Sequence, residues 1–396
     1  MQDAAMVGFD WPGRPRLVFG VGAVDRLGEL TGALGVRRPL LVTSVAVAAA
    51  GHADRARRAL ESVGLSVVCF DRAEENPTTR DVEACAAVAR EERIDGFVGL
   101  GGGSSLDTAK GANFLLTNGG RMQDYWGTGK ATRPMLPLVA VPTTAGTGSE
   151  CQSYALIVDE TTHQKMACGD PKAAAAIAIL DPALTLTQPR GVAANTGIDA
   201  ITHAVETAVT LRRNELSWLY SREAFRLTVG TLARVLEAPD DLEARARMQL
   251  GAAYAGMAIE LSMLGAAHAA ANPLTAHFGI VHGQAVGMML PHVVRFNGRE
   301  PSVREAYRRL LAEVGGGRAR AASAPATLAS RLEELLAAAG ISASPADAGM
   351  GAEAIPALAR EAAAQWTARY NPRPVTAADF ESLYASALSG QEVRAR

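Results

Sequence analysis

The first half of the chain alternates short apolar runs with amphipathic stretches, and the second half does not. Residues 16–20 (RLVFG), 39–43 (PLLVT), 65–70, 95–100, 136–141, 154–158 and 174–180 are apolar or β-branched runs of the length of buried strands. Residues 24–34, 53–63 and 79–92 repeat apolar positions at helical spacing, with Gly35 and Gly64 as stops for the first two. Strands that alternate with helices predict a parallel sheet with helices on its faces. After Thr187 the texture changes. From Gly191 the pattern is helical almost throughout, broken at Pro239, at the Asn272-Pro273 pair and at Pro291. The stretch 315–351 is rich in Ala, Gly, Ser and Arg and predicts one helix, 328–338, between loops. A last helix is expected over 376–387, with Thr376 as its N-cap.

Composition narrows this picture. With 396 residues the chain is too long for one compact core and suits two or three domains. The change of texture puts the boundary near 186–190, between an α/β domain (1–187) and a helical domain (188–396). Hydrophobic residues make up 48% and charged residues 20%, and the net charge is −2. That is an ordinary globular balance with no nucleic-acid footprint. The opening MQDAAMVGFDWPG lacks a basic region followed by an apolar core, so no secretory leader is expected. The longest strongly apolar run, 173–180, is too short to span a bilayer, so no membrane partner is expected. Cys69, Cys85, Cys151 and Cys168 form no CxxC pair, which points to a reducing cytoplasm.

Two loops carry candidate ligand chemistry. Gly101-Gly102-Gly103-Ser104-Ser105 follows a predicted strand directly and opens a helix, LDTAKGANFLL. A glycine turn lets a ligand approach the backbone, and the free amides at a helix start favour a phosphate. A plain turn explains the same letters, and the GxGxxG fingerprint is absent. Lys110 could support charge there, although a helical lysine is ordinarily exposed. The second loop, PTTAGTGSE (142–150), combines small residues with hydroxyls that could touch a ligand, or is simply a polar turn.

The helical half holds a candidate metal set. Asp199 and His203 are four residues apart and share one helix face. Taken alone, such a pair is most often a surface ion pair. His268 is placed near the end of a second helix, before Asn272-Pro273, and His282 at the start of a third. Five of the seven histidines fall between His203 and His292. Three imidazoles and a carboxylate suit a divalent transition metal. His292 is expected to pack behind the site and His163 to lie on the surface.

GGGSSLDTAK (101–110), PTTAGTGSE (142–150), GIDAITHAVE (197–206) and HAAANPLTAHFGIVHG (268–283) together resemble the iron-containing (group III) alcohol dehydrogenase family. The match runs nearly end to end, through ENPT (75–78), Lys165, MLPHVVRFN (289–297) and NP…T..D…LY (371–384). The resemblance implies an N-terminal, Rossmann-like α/β dinucleotide-binding domain and an all-α C-terminal domain, in a dehydroquinate synthase-like architecture. Metal and substrate would lie between the two. It implies that Asp199, His203, His268 and His282 bind Fe²⁺, with Zn²⁺ as an alternative. It implies cofactor contacts at Asn76, Gly102, Gly103, Ser104, Asp107, Thr143, Thr144, Thr147, Lys165 and Leu184. A homodimer formed through an N-terminal strand is expected.

Three positions depart from the family pattern. Where many members have an Asp after the strand 39–43, this chain has Ser44. A carboxylate there would bind the adenosine ribose and repel a 2′-phosphate. Ser44 therefore admits NADP beside NAD, with NADP slightly favoured. Many members have a His, often assigned to proton transfer, where this chain has the non-titrating Asn272. His277 stands where an aromatic or apolar residue is common, so a catalytic relay or a packing role is open to it.

The expected reaction is hydride transfer between NAD(P)(H) and a small alcohol, aldehyde or ketone, with the metal as Lewis acid on the substrate oxygen. The alternatives are a specialised aldehyde or keto-acid reductase, a dehydroquinate-synthase-like lyase that uses NAD transiently, and a non-catalytic metal- or nucleotide-binding protein.

Overall fold

The structure is a computed structural model that describes residues 7–315 and 320–389. It divides into two compact units, Trp11–Gln188 and the chain from Pro189 onward with the described residues before Trp11.

The first unit runs β1 (Arg16–Phe19), α1 (Leu27–Ala33), β2 (Pro39–Val42), α2 (Val45–Ala49), α3 (His52–Glu61), β3 (Val68–Phe70), α4 (Thr79–Glu91), β4 (Gly96–Gly101) and α5 (Gly103–Asn118). It continues through β5 (Gly127–Thr128), β6 (Leu138–Pro142), β7 (Tyr154–Val158), β8 (Lys165–Gly169) and β9 (Ile177–Leu180). Six strands form one parallel sheet in the order β1-β9-β6-β4-β2-β3. Residues along its strands alternate between two buried apolar layers. Leu40, Val42, Phe97, Leu138 and Ala140 pack with α4 and α5 residues on one side. Leu41, Val98, Leu100, Val139 and Val141 pack with α1 and α3 residues on the other. Burial on both faces is why these strands read as continuous apolar runs. β7 does not join this sheet. It pairs antiparallel with β8, and β8 with β5, in a small second sheet. Lys165–Gly169 (KMACG) and the two-residue β5 carry too little pattern to announce a strand.

The order of the main sheet reverses at β2 and β4. From β2 the chain moves outward to β3, then returns to the other side of β2 as β4 and continues through β6. In an open parallel sheet, ligands bind beyond the carboxyl ends of strands at such a reversal. Ser44 and the Gly101–Ser104 turn stand at that point.

The second unit is helical: α6 (Arg190–Thr207), α7 (Glu215–Val229), α8 (Leu232–Glu237), α9 (Leu242–Ser262), α10 (Ala266–Phe278), α11 (His282–Asn297), α12 (Pro301–Glu313), α13 (Ala324–Ala339), α14 (Ile355–Ala364) and α15 (Ala377–Ser389). α6 packs against α7, α9 and α11, and α10 against α11 and α14. The second half of α6 is buried on every side, so its polar residues face protein and not water.

Two expected breaks are absent. Pro273 lies inside α10 and Pro291 inside α11. His268 is therefore near the start of its helix, not the end. An interior proline loosens the backbone bonds one turn before it. In that turn Tyr384 of α15 donates its hydroxyl to the Ala270 carbonyl at 2.6 Å, which ties α15 to α10 there. At the C-terminal end Thr376 caps α15 reciprocally with Asp379. Among the described residues no single helix is long and apolar enough to cross a membrane.

Candidate metal centre and cofactor loops

Asp199, His203 and Glu206 follow one another at intervals of four and three residues on α6, so one helix face presents all three. α11 brings His282 to them. A Cβ at residue 283 would lie 2.1 Å from the Asn195 carbonyl oxygen, so only glycine lets the first turn of α11 press against α6. Asn195 is one turn before Asp199. His268 arrives on the first turn of α10. That turn starts from Gly265, which has no side chain to cap it. Its amides are met from elsewhere: Ala266 donates to Asn371 Oδ1 (3.3 Å) and Ala267 to Glu206 Oε1 (2.7 Å). Asn371 is itself held by a reciprocal pair of bonds with Asn297.

The result is a convergence on one oxygen. Nε2 of His203, His268 and His282 lie 3.2, 3.7 and 3.8 Å from Oδ1 of Asp199. Ligand atoms of Asp199, His268 and His282 are all within 4.8 Å of one another, and His203 stacks on His268 with ring centroids 4.9 Å apart. Asp199, His203 and His268 are buried, while the His282 side chain keeps 27% of its exposure. Buried Oδ1 of Asp199 and Nε2 of His268 have no hydrogen-bond partner among the described residues. Polar atoms in that state are costly unless a ligand takes them. Three imidazole nitrogens and a carboxylate oxygen at these separations are a donor set that fits a divalent transition ion.

Charge reinforces the geometry. Burial opposes ionisation of Asp199, but the imidazoles of His203, His268 and His282 outweigh it and hold the carboxyl well below its usual range. Burial likewise opposes protonation of His268, yet the carboxylates of Glu206 and Asp199 raise it to about 9. Glu206 Oε2 lies 2.5 Å from His268 Nδ1. A carboxylate behind a ligating histidine sets the tautomer and aims the other nitrogen. Glu206 was not among the residues singled out from the sequence, although its spacing from Asp199 and His203 could have found it.

The other two expected residues on α10 separate. Asn272 is one turn beyond His268, half-buried, and donates to Gln365 Oε1 at 3.0 Å. His277 is nine residues from His268, on the opposite face, and meets the Glu361 carboxylate at 2.8 Å with both side chains about half exposed. His292 is buried, and burial with Arg295 nearby lowers it to about 4. His163 is exposed, as expected.

In the first unit the two loops pack on each other. Gly101 has φ +148°, a conformation that favours glycine. A Cβ at Gly103 would lie 2.8 Å from Thr147 Oγ1 and Cγ2, and one at Gly102 would lie 3.3 Å from Thr144 Cγ2. Thr143 donates its backbone N–H to the Gly101 carbonyl. Asn76 links the neighbouring residues: its backbone N–H donates to Ser104 Oγ (3.2 Å), and its Oδ1 accepts from Lys165 Nζ (3.0 Å). Ser44 caps α2 by accepting from the Val47 N–H. Of the expected cofactor residues, Leu184 stands apart. Its side chain is buried in the apolar layer under the sheet, so it could meet a ligand only through its backbone.

Lys110 corrects the exposed-lysine expectation. It is fully buried and donates to the Ser149 carbonyl (2.7 Å), Ser149 Oγ (2.8 Å) and the Tyr154 carbonyl (2.9 Å). Ser149 Oγ in turn donates to Asp107 Oδ1 at 2.7 Å. Burial raises the Asp107 carboxyl despite the opposing pull of Lys110 and Ser149. This buried network ties α5 to the second loop, and a pattern of single positions does not reveal it.

Both units match known proteins. Residues 14–182 match the family of iron-containing alcohol dehydrogenases, and 193–388 match the C-terminal part of the Fe-containing alcohol dehydrogenase family. The NAD-dependent methanol dehydrogenase of Bacillus methanolicus is 32% identical over 375 residues, which cover 94% of this chain and 98% of that protein. The crystal structure of a 1,3-propanediol oxidoreductase matches with a TM-score of 0.91 at 30% identity, over 94% of this chain and 98% of that one. The sulfoacetaldehyde reductase of Bifidobacterium kashiwanohense, solved in complex with NAD⁺, matches with a TM-score of 0.86 at 26% identity, over 96% and 99%. With both units matched and the buried donor set in place, the chain belongs to the iron-containing alcohol dehydrogenase family and is an oxidoreductase.

Proposed function

We propose that this protein interconverts small alcohols and their aldehydes or ketones, with iron held by Asp199, His203, His268 and His282 and NAD(H) held by the loops at the carboxyl edge of the main sheet. The observation that carries the reading is the convergence of three imidazole nitrogens on one buried carboxylate oxygen. When bound, iron supplies Lewis-acid polarisation of the substrate oxygen and NAD(H) takes or gives the hydride.

The residues of the chain supply position and field. Asp199 contributes a single negative charge beside three imidazoles, which leaves a divalent ion net positive charge to act on an oxygen. Glu206 keeps the proton of His268 on Nδ1, away from the donor side. Gly102 and Gly103 leave room for the Thr144 and Thr147 side chains to close on the turn, and the free amides of the helix start there favour a pyrophosphate. Thr143, Thr144 and Thr147 wall that turn, and Asn76, Ser104 and Lys165 form one hydrogen-bonded group beside it. Asn272, on the His268 face, is the substrate-facing polar group. His277, paired with Glu361 on the opposite face, is a brace between α10 and α14 and not a proton relay.

NAD(H) is preferred over NADP(H), because the relatives named by cofactor are NAD enzymes. Ser44 carries no charge that would reject NADP. The same reading includes a homodimer in a reducing cytoplasm, consistent with four cysteines that are all free. Sizing by light scattering checks the dimer.

The test is metal analysis of the purified protein with an NADH- and NADPH-coupled panel of alcohols and aldehydes. Net NADH formation with iron present supports a dehydrogenase, whereas turnover without net change points to the lyase alternative. His268→Ala should lose iron and turnover together. Full activity in a metal-free His268→Ala protein would sink the proposal.

A further inference from the structure

Asn272 is one helical turn beyond His268 and shares its face of α10. Helical side chains lean toward the N-terminus, so the Asn272 amide covers the turn that carries His268. His268 is buried and Asn272 is half-buried, so exposure on this face begins within one turn of the donor set.

The amide is not alone there. Asn272 Nδ2 lies 3.0 Å from Oε1 of Gln365, the residue at which α14 ends and the chain turns to extended backbone. The contact between His277 and Glu361 links the same two helices at their exposed rim, so Gln365 is carried on a segment fixed to α10.

A hydrogen bond between two primary amides uses one donor and one acceptor. Whichever way the amides are turned, a carbonyl oxygen from one and an N–H from the other are left for a ligand. An acceptor beside a donor matches a hydroxyl, which both donates and accepts. The pair has no charge with which to select a carboxylate or an ammonium group, and neither amide titrates.

We propose that the Asn272–Gln365 pair recognises a second, uncharged hydroxyl of the substrate, and that Gln365 determines specificity from outside α10. The inference rests on the dehydrogenase reading above and deepens it, since it favours diols over monoalcohols of equal carbon number. Gln365 acts on which alcohol binds well, not on the metal or on the cofactor.

The experiment compares kcat/KM for 1,3-propanediol and 1-propanol, with NAD⁺ and the iron-loaded full chain, in wild type and Gln365→Met. Methionine keeps the length and flexibility of glutamine and removes both hydrogen-bonding groups. The wild type should prefer the diol. Gln365→Met should lower the diol-to-monoalcohol ratio about tenfold, the worth of one hydrogen bond, mainly through KM of the diol. Kinetics with 1-propanol should stay within about twofold of wild type on the same argument. A folded Gln365→Met protein with an unchanged ratio, or with equal losses on both alcohols, overturns the inference. If Gln365→Met does not fold, Gln365→Asn, too short to span the contact, should show the same fall in ratio, and an unchanged ratio there overturns it as well. No NAD-linked turnover of either alcohol by the wild type overturns the dehydrogenase reading and this inference with it. Turnover with an unchanged ratio overturns the inference alone.

Discussion

Glu206 Oε2 lies 2.5 Å from Nδ1 of His268, and the opposite nitrogen of the same ring faces Asp199 Oδ1 at 3.7 Å. One buried carboxylate thus sits behind the imidazole and another in front of it, from positions seven residues apart on α6. Glu206 also accepts from the Ala267 amide, so it orients both the ring and the helix start that carries it.

Glu206→Gln should weaken the metal site without removing a ligand. The amide can still satisfy Ala267, but it no longer favours the proton on Nδ1. Loss of such a partner lowers metal affinity by about 10- to 100-fold. Iron retained after dialysis, compared with wild type, checks this, and undiminished retention would contradict the role given to Glu206.

Gly283→Ala should disturb the site through packing. The new Cβ would meet the Asn195 carbonyl, a backbone atom that cannot swing aside, so α11 must shift and take His282 with it. Overpacking of this kind costs about 1–3 kcal/mol. Gly191→Ala, at a helical glycine with open space around it, is the control and should be neutral or slightly stabilising. Thermal midpoints and iron content of the two variants should diverge, and matching values would show that the close approach is not limiting.

Glu150 gives the first unit a pH dependence. Burial raises its carboxyl from 4.5 to about 7 in the folded protein. Between those values the folded state holds a proton that the unfolded state has released, so stability falls as pH rises from about 4.5 to about 7 and then levels. The contribution lost is on the order of 3 kcal/mol. Glu150→Gln carries no such charge and should remove this fall, so that it gains on wild type above pH 7. Denaturant midpoints at pH 5 and pH 8 measure it, and parallel curves for the two proteins would rule it out.

Ser44→Asp should sharpen the choice of cofactor. Aspartate caps α2 as well as serine does, so the fold is preserved. Its charge would repel a 2′-phosphate and accept from ribose hydroxyls. The ratio of kcat/KM for NADH to that for NADPH should rise by about tenfold or more, because two like charges brought together are strongly disfavoured. A ratio that does not move would place the adenosine ribose away from residue 44.

Much of this was legible because it is local. The apolar runs of β2, β4 and β6 announce strands buried on both faces, since a period of two with both faces apolar leaves a continuous run. The glycines between β4 and α5 announce a tight turn, because a positive φ and a close approach both need the missing Cβ. Asp199 and His203 share a face because a helix repeats every 3.6 residues, whatever surrounds it. Four ordered motifs then indicated the family, which the matches over both units bear out.

Tertiary structure decided what depends on partners far along the chain. The alternation pattern reads Lys110 as a surface residue, but acceptors 39 and 44 residues away make its burial tolerable. Pro273 reads as a helix break, but α10 runs through it, and Tyr384, 114 residues from Ala270, donates to that carbonyl in the turn before the proline. Glu206 meets His268 across 62 residues, and His277 meets Glu361 across 84. Propensity and periodicity act within a turn or two of chain. Whether a polar side chain is a ligand, a brace or a solvated surface group is set by what packing brings within about 3 Å of it, the reach of a hydrogen bond.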